Sequence, residues 1–162
     1  PVVPFADGRF PTRSGRIMVA YDGFVRRGGT FAPEPLFDPP PATNELRLIT
    51  PAGDWLMNSS YGNDPRIVER AGGRTVYFHP DEARRRGLGE GTRVRLQSQA
   101  GKLDMEVALS PRVPEGVVLA YKSPWGGRGP SEANINCLNP GLKSDLGEST
   151  AVHSVTVTVE PV

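Results

Sequence analysis

Short apolar runs, each closed by turn-forming residues, dominate the second two thirds of this chain. One run begins at Leu46 and breaks at Pro51-Ala52-Gly53, then gives way to the polar cluster Asn58-Ser59-Ser60-Tyr61. A run bounded by turn signals reads as a buried strand with a loop at its exit. Thr75-Val76-Tyr77-Phe78 is a second strand. Pro80 then stands where a first helical turn accepts proline, Asp81 and Glu82 suit the positive end of the dipole, and Gly87 supplies the stop. Residues 79–86 are therefore predicted as a short helix. Gly89-Glu90-Gly91 turns into a strand over residues 92–98, and another follows from Lys102 to Leu109. Pro114-Glu115-Gly116 turns into residues 117–121, and residues 155–159 alternate Val and Thr as a last strand. Six or so short strands with one or two small helices predict a mainly β barrel rather than a doubly wound sheet.

The two central strands invite a register. With Ala100-Gly101 as a two-residue loop, Leu96 faces Met105 and Val94 faces Val107 on one side, while Arg95 faces Glu106 and Gln97 faces Asp104 on the other. Apolar and charge-complementary pairs then fall out of a single hairpin. Upstream, Phe10-Pro11-Thr12-Arg13-Ser14-Gly15 predicts a turn, followed by a strand from Arg16 to Tyr21. The segment from Phe31 to Thr43, FAPEPLFDPPPAT, is too rich in proline for a regular element and reads as an extended, semi-rigid connector. The expected organisation is a lead-in over residues 1–43 and a barrel domain over residues 44–162.

Composition narrows the function classes. Nineteen Lys and Arg against eighteen Asp and Glu leave almost no net charge, so nothing suggests the basic stripe of a nucleic-acid binder. No apolar run approaches the roughly 20 residues of a membrane span. The chain opens Pro1-Val2-Val3-Pro4, with no secretory pattern and no Met, and is read as part of a longer protein. Its compartment stays open. A single cysteine, Cys137, excludes an intrachain disulfide and any Cys-ligated cluster within these residues, and two separated histidines make a poor metal site.

The ordered set of motifs carries more than any one of them. Strand, Asn58-Ser59-Ser60 loop, His79-Pro80-Asp81-Glu82-Ala83 helix ending in Arg86-Gly87, Gly89-Glu90-Gly91 turn, hairpin, Pro114-Glu115-Gly116-Val117-Val118 strand, Trp125-Gly126 and Asn134-Ile135-Asn136 follow one another. That order resembles the C-terminal molybdopterin-dinucleotide-binding domain of molybdenum oxidoreductases of the dimethyl sulfoxide reductase, formate dehydrogenase and nitrate reductase type. The segment from Phe10 to Ile17 is similar to the stretch that precedes the domain in those enzymes. The resemblance implies a six-stranded double-psi β-barrel that holds part of a molybdopterin guanine dinucleotide. It further implies a longer parent enzyme whose other domains are this chain's partners and supply the molybdenum or tungsten ligand.

A pterin joined to a diphosphate and a guanine asks for backbone N–H groups in small-residue turns and for amide side chains. On the resemblance, residues 50–60 are the first cofactor-contacting loop, with Thr50, Pro51, Asn58, Ser59 and Ser60 as candidates. An ordinary strand-exit turn is the plain alternative. The resemblance sets Trp125, or its neighbour Gly126, beside the cofactor; in the other reading Trp125 packs in the core or lids the barrel end. Asn134 and Asn136 share a side if the segment is extended. One then addresses the ligand and the other the backbone, with Asn136 matching the family's binding asparagine. Asp145 offers a carboxylate to guanine N1–H or bonds its own turn. His153, placed by register on the last strand, stands where some relatives carry a lysine. His79 and the Arg84-Arg85-Arg86 run are expected to be structural or solvated, and Cys137 a small buried apolar residue.

The leading expectation is a cofactor-binding domain that contributes polar contacts and a dry wall but not the reacting atom. Two alternatives remain: a stand-alone small subunit like that of formylmethanofuran dehydrogenases, and a protein-binding adaptor of the kind found in AAA-type ATPases. The amide cluster argues against the adaptor.

Overall fold

In the computed structural model, residues 2–18, 23, 26–28, 39–58, 60–122, 133–143 and 148–162 are described. Six strands form a closed barrel: β1 Leu46–Ile49, β2 Thr75–Phe78, β3 Arg93–Gln97, β4 Lys102–Leu109, β5 Val117–Ala120 and β6 Val155–Pro161. Around the ring their order is β1-β5-β2-β4-β3-β6. The β1·β5 and β2·β4 pairs are parallel and the other four are antiparallel. This is the double-psi barrel that the motif order implied.

Alternation explains the closure. Leu46 and Leu48, Val76 and Phe78, Val94 and Leu96, Leu103, Met105 and Val107, Val118 and Ala120, and Val155 and Val157 all point inward and are buried. Ile135 and Leu138 join the same core from a 3-10 turn over Ile135–Leu138. Removing this apolar area from water supplies the main drive to fold.

Among the described residues of the barrel unit, two short α-helices accompany the strands. In α1 (Pro65–Ala71), Asp64 caps by accepting from Arg66 N at 2.9 Å, and Pro65 occupies the first position. The sequence reading did not single this helix out. In α2 (Pro80–Arg85), His79 Nδ1 accepts from Asp81 N at 3.1 Å, so His79 is the cap. Glu82 is the hub of α2. Its carboxylate accepts from Arg86 Nε at 2.7 Å, Arg85 Nη2 at 2.8 Å and Gly116 N at 3.2 Å, which fastens α2 to the turn before β5. Burial pushes its pKa up, but the bonds from Arg86, Arg85 and Gly116 outweigh that and hold it below the ordinary value. Arg84 pairs with Asp81, and Arg85 also reaches Glu115, so the arginine run braces the fold rather than forming a bare solvated face.

The hairpin register differs from the expected one by two residues. Val94 pairs with Met105, Arg95 with Asp104 and Leu96 with Leu103. The loop is the four residues 98–101, not Ala100-Gly101 alone. Ser98 is the reason: its N–H donates to Gly101 O at 3.0 Å, and its Oγ accepts from Ala100 N at 3.0 Å and Gly101 N at 3.3 Å. A two-residue shift leaves sidedness intact, so Val94, Leu96, Met105 and Val107 are buried on one face as expected.

The chain separates into two compact units, Pro1–Asp38 and Pro39–Val162. Residues 39–44 belong to the barrel unit because Pro39 O accepts from Arg47 Nη2 at 2.6 Å and Asn44 O from Arg86 Nη1 at 3.3 Å. In the first unit the turn after Phe10 is present, with Phe10 N donating to Gly15 O at 3.2 Å and Thr12 Oγ1 to Arg16 O at 2.7 Å. Gly15 takes φ +66°, which glycine adopts without strain. The strand expected to follow does not begin at Arg16: Arg16, Ile17 and Met18 are irregular and exposed. Its remaining positions, Val19 to Tyr21, lie outside the described residues, as does most of the proline-rich connector.

Candidate functional site

Parallel pairing decides where a site can form. Because β1 and β5 run in the same direction, their exits lie at one end of the barrel, and Lys122 N donates to Pro51 O at 3.0 Å to join them. Between these exits and the 3-10 turn lies a cleft of about 120 Å³. Thr50, Asn58, Lys122, Asn136 and Asn139 supply its polar lining. Leu48, Ile135, Leu138, Val152 and Val155 make the apolar part of its wall.

Each polar residue is held by its local structure. Thr50 sits at the end of β1 and is buried. Asn58 has φ +55°, in the left-handed region that asparagine tolerates better than most residues, and Ser60 N closes the turn on Met57 O at 3.0 Å. Asn134 caps the 3-10 turn by accepting from Asn136 N at 2.9 Å. That replaces the extended segment expected here. Asn134 is committed to the backbone, and Asn136 lines the cleft. The Asn139 side chain accepts from Gly141 N at 2.8 Å through Oδ1.

Of the residues singled out in the sequence, Thr50, Asn58 and Asn136 converge on this cleft. Pro51 adjoins it through its carbonyl, and exposed Ser60 is placed by the Met57 turn. Ser59, Trp125, Gly126 and Asp145 lie outside the described residues. His153 is not on the last strand, as its register had suggested; β6 starts at Val155, and His153 is exposed in the turn before it. Cys137 is half-buried rather than buried: its Sγ donates to Lys102 O at 3.3 Å, and burial raises its pKa against the opposing field of Arg74.

Sequence reasoning missed Lys122 and Asn139. The signal for Lys122 was a cation immediately past an apolar strand, but its importance depends on the parallel pairing of β5 with β1, which a linear pattern does not show. Lys122 also borders a second hollow of about 220 Å³, where Arg70 lies over the Trp55 ring at 5.0 Å and Tyr77 meets Tyr121 edge to face at 5.8 Å. Elsewhere among the described residues, His79, Asp81 and Glu115 bring ligand atoms within 4.8 Å of one another. There the His79 Nδ1 lone pair is used by Asp81 N and Glu115 by Arg85, so the group is a helix cap and ion-pair network.

The donor set fits a pterin dinucleotide. Amide groups match amide-like ring edges, the Lys122 ammonium suits a diphosphate, and no carboxylate is among the described residues that line the cleft.

Comparison with known proteins agrees. The family model described as "Molydopterin dinucleotide binding domain" matches residues 46–156. A probable oxidoreductase, YoaE, of Bacillus subtilis is 25% identical over 98% of this chain, which covers 23% of YoaE. A probable dimethyl sulfoxide reductase chain, YnfF, of Escherichia coli is 29% identical over 77% of this chain and 16% of its own length. Dimethyl sulfoxide reductase DmsA of the same organism is 28% identical over 65% of this chain and 13% of its own length. Among solved structures, acetylene hydratase from Pelobacter acetylenicus shares the fold, with a TM-score of 0.75 at 16% identity over 94% of this chain and 24% of its own. This chain spans about a quarter or less of each of these proteins. The family model, which matches more than half of the chain, establishes that the chain belongs to the molybdopterin dinucleotide-binding domain family, and that its cofactor is of the molybdopterin type.

Proposed function

We propose that this chain binds part of a molybdopterin guanine dinucleotide in the Thr50–Asn58–Asn136 cleft, as one domain of a longer molybdenum- or tungsten-dependent oxidoreductase. The observation that carries this reading is convergence. Thr50 and Asn58 come from the exit of β1, Lys122 from the exit of β5 and Asn136 from the 3-10 turn, yet they line one cleft. Asn58 and Asn136 orient the pterin through their amides, Thr50 contributes a hydroxyl from the floor, and Lys122 balances phosphate charge at the rim. Leu48, Ile135, Leu138 and Val155 keep water from the inner wall. When bound, the cofactor supplies the metal and the electron path, and this chain holds and orients it. Asp145, with its carboxylate, is assigned the guanine edge, and the Trp125-Gly126 pair the neighbouring face. The other domains of the longer protein are the partners, and they supply the metal's protein ligand. The names of YoaE, YnfF and DmsA support an oxidoreductase setting.

The test is titration of the purified chain with the oxidised, fluorescent form of the dinucleotide while the Asn side-chain amides are followed by NMR. Asn58 and Asn136 should shift with saturation, and Asn136→Ala should weaken binding about tenfold, as expected for one lost hydrogen bond to a desolvated ligand. Shifts confined to the opposite end of the barrel would overturn the assignment. The chain alone should show no turnover with any electron donor, and turnover would overturn the reading as a purely binding domain.

A further inference from the structure

The residue that seats the cleft's asparagine lies on a different element. Gly101, at the tip of the β3–β4 hairpin, does not need glycine for its backbone angles. It needs it for space. A Cβ there would stand 2.6 Å from the carbonyl oxygen of Cys137 and 3.5 Å from its carbonyl carbon. Backbone cannot yield as the end of a flexible side chain can, so any larger residue must push the 3-10 turn and the hairpin apart. The contact is reinforced one residue along, where Cys137 Sγ donates to Lys102 O at 3.3 Å.

Both surfaces in this contact are stiff. On the hairpin side, Ser98 holds the loop by three hydrogen bonds to Ala100 and Gly101. On the other, Asn134 accepts from Asn136 N, Cys137 N donates to Asn134 O at 2.9 Å, and Asn139 N donates to Asn136 O at 3.0 Å. Ile135 and Leu138 anchor the turn in the core. Asn136 is therefore carried on a small rigid turn, and one edge of that turn rests on Gly101.

We propose that Gly101 is a positioning residue for cofactor binding, seating the Cys137 carbonyl so that the adjacent Asn136 amide faces the cleft. This rests on the assignment of Asn136 to the cofactor.

The experiment is a thermodynamic cycle read by cofactor affinity, with the oxidised fluorescent dinucleotide as probe and the whole chain as the protein. Gly101→Ala should weaken binding about tenfold, as Asn136→Ala does, and the double variant should be no weaker than either single one. The Asn136 side-chain amide resonance should move in Gly101→Ala, while methyl resonances of Val76 and Val118 on the β2·β5 side stay in place. Ala100→Gly, which loosens the same loop without crowding Cys137, should bind like the parent sequence. If Gly101→Ala does not fold, Cys137→Ala removes the bond to Lys102 O without adding bulk and should weaken binding, while Cys137→Ser should restore it. Unaltered affinity in Gly101→Ala beside a weakened Asn136→Ala, or fully additive losses in the double variant, would overturn the positioning role and leave the site intact. Unaltered affinity in Asn136→Ala would overturn the site and this inference with it.

Discussion

Arg95 grips Asp104 across the β3–β4 ladder with two bonds, Nε to Oδ1 at 2.6 Å and Nη2 to Oδ2 at 2.9 Å. The pair is lopsided, since the Asp104 side chain is 4% exposed and that of Arg95 35%. The guanidinium also feels Glu160, its partner residue across β3 and β6, and both acids raise its pKa, Asp104 the more.

That asymmetry sets the first prediction. Arg95→Met strips a buried carboxylate of its bidentate partner and should destabilise the barrel by about 1.5–3 kcal/mol. Asp104→Asn should cost less, because Arg95 keeps water and Glu160. Urea unfolding of both single variants and the double variant measures the coupling. Equal losses in the two single variants would contradict the asymmetry.

Phe78 is fully buried where β2 lies between β4 and β5. Phe78→Ala should cost about 3–5 kcal/mol, the range for a large side chain removed from a packed core. Denaturant midpoints with an unchanged slope test this; a loss under 1 kcal/mol would mean that the core refills the space.

Glu82 gives a pH dependence of known sign. Its pKa in the fold lies below the ordinary 4.5, so its contribution is complete above that value. The contribution is lost as pH falls through the folded value. The stability gap between the parent chain and Glu82→Gln should therefore be constant near neutrality and narrow progressively below pH 4.5. A gap that widened on acidification would contradict the ion-pair hub.

Cys137 should be slow to alkylate. Burial lifts its pKa above the ordinary 9.0, which lowers the thiolate fraction, and contact with the hairpin tip limits access. Iodoacetamide at pH 8 should modify it more slowly than a cysteine in an unstructured peptide, and urea should abolish the difference. Equal rates in the folded and urea-unfolded chain would refute a seated thiol.

What the sequence revealed depended on how local its cause was. The cap at His79, the proline at position 80 and the stop at Gly87 all act within one turn, and α2 was legible to within one residue at each end. Strand ends set by turn residues were nearly as clear. The hairpin register was not, because Ser98, an unremarkable residue on paper, lengthens the loop through hydrogen bonds to its own backbone. Asn134 behaved similarly, converting an apparently extended Asn-Ile-Asn into a capped 3-10 turn. His153 was assigned by counting back from a strand whose start lies two residues further on. For the candidate cleft, Thr50, Asn58 and Asn136 could be picked out because their chemistry and motif order point the same way. Lys122 and Gly101 could not, because each meets its neighbour, Pro51 or Cys137, only in the folded chain.

The ring order has a consequence in time. Every seam except β3·β4 joins strands that are separated by another strand in the sequence, and β6, late in the chain, supplies two seams at once, to β1 and to β3. Such remote pairings fold slowly, since loops must close before any contact rewards them. During synthesis the β3–β4 hairpin can form early, but the barrel stays open until β6 has left the ribosome. The cleft draws its walls from β1, the 3-10 turn and Val155 of β6, so it comes into being only at that moment. On the proposed assignment of this cleft to the cofactor, a ribosome-stalled chain lacking β6 should therefore not retain the dinucleotide, whereas one displaying all six strands should.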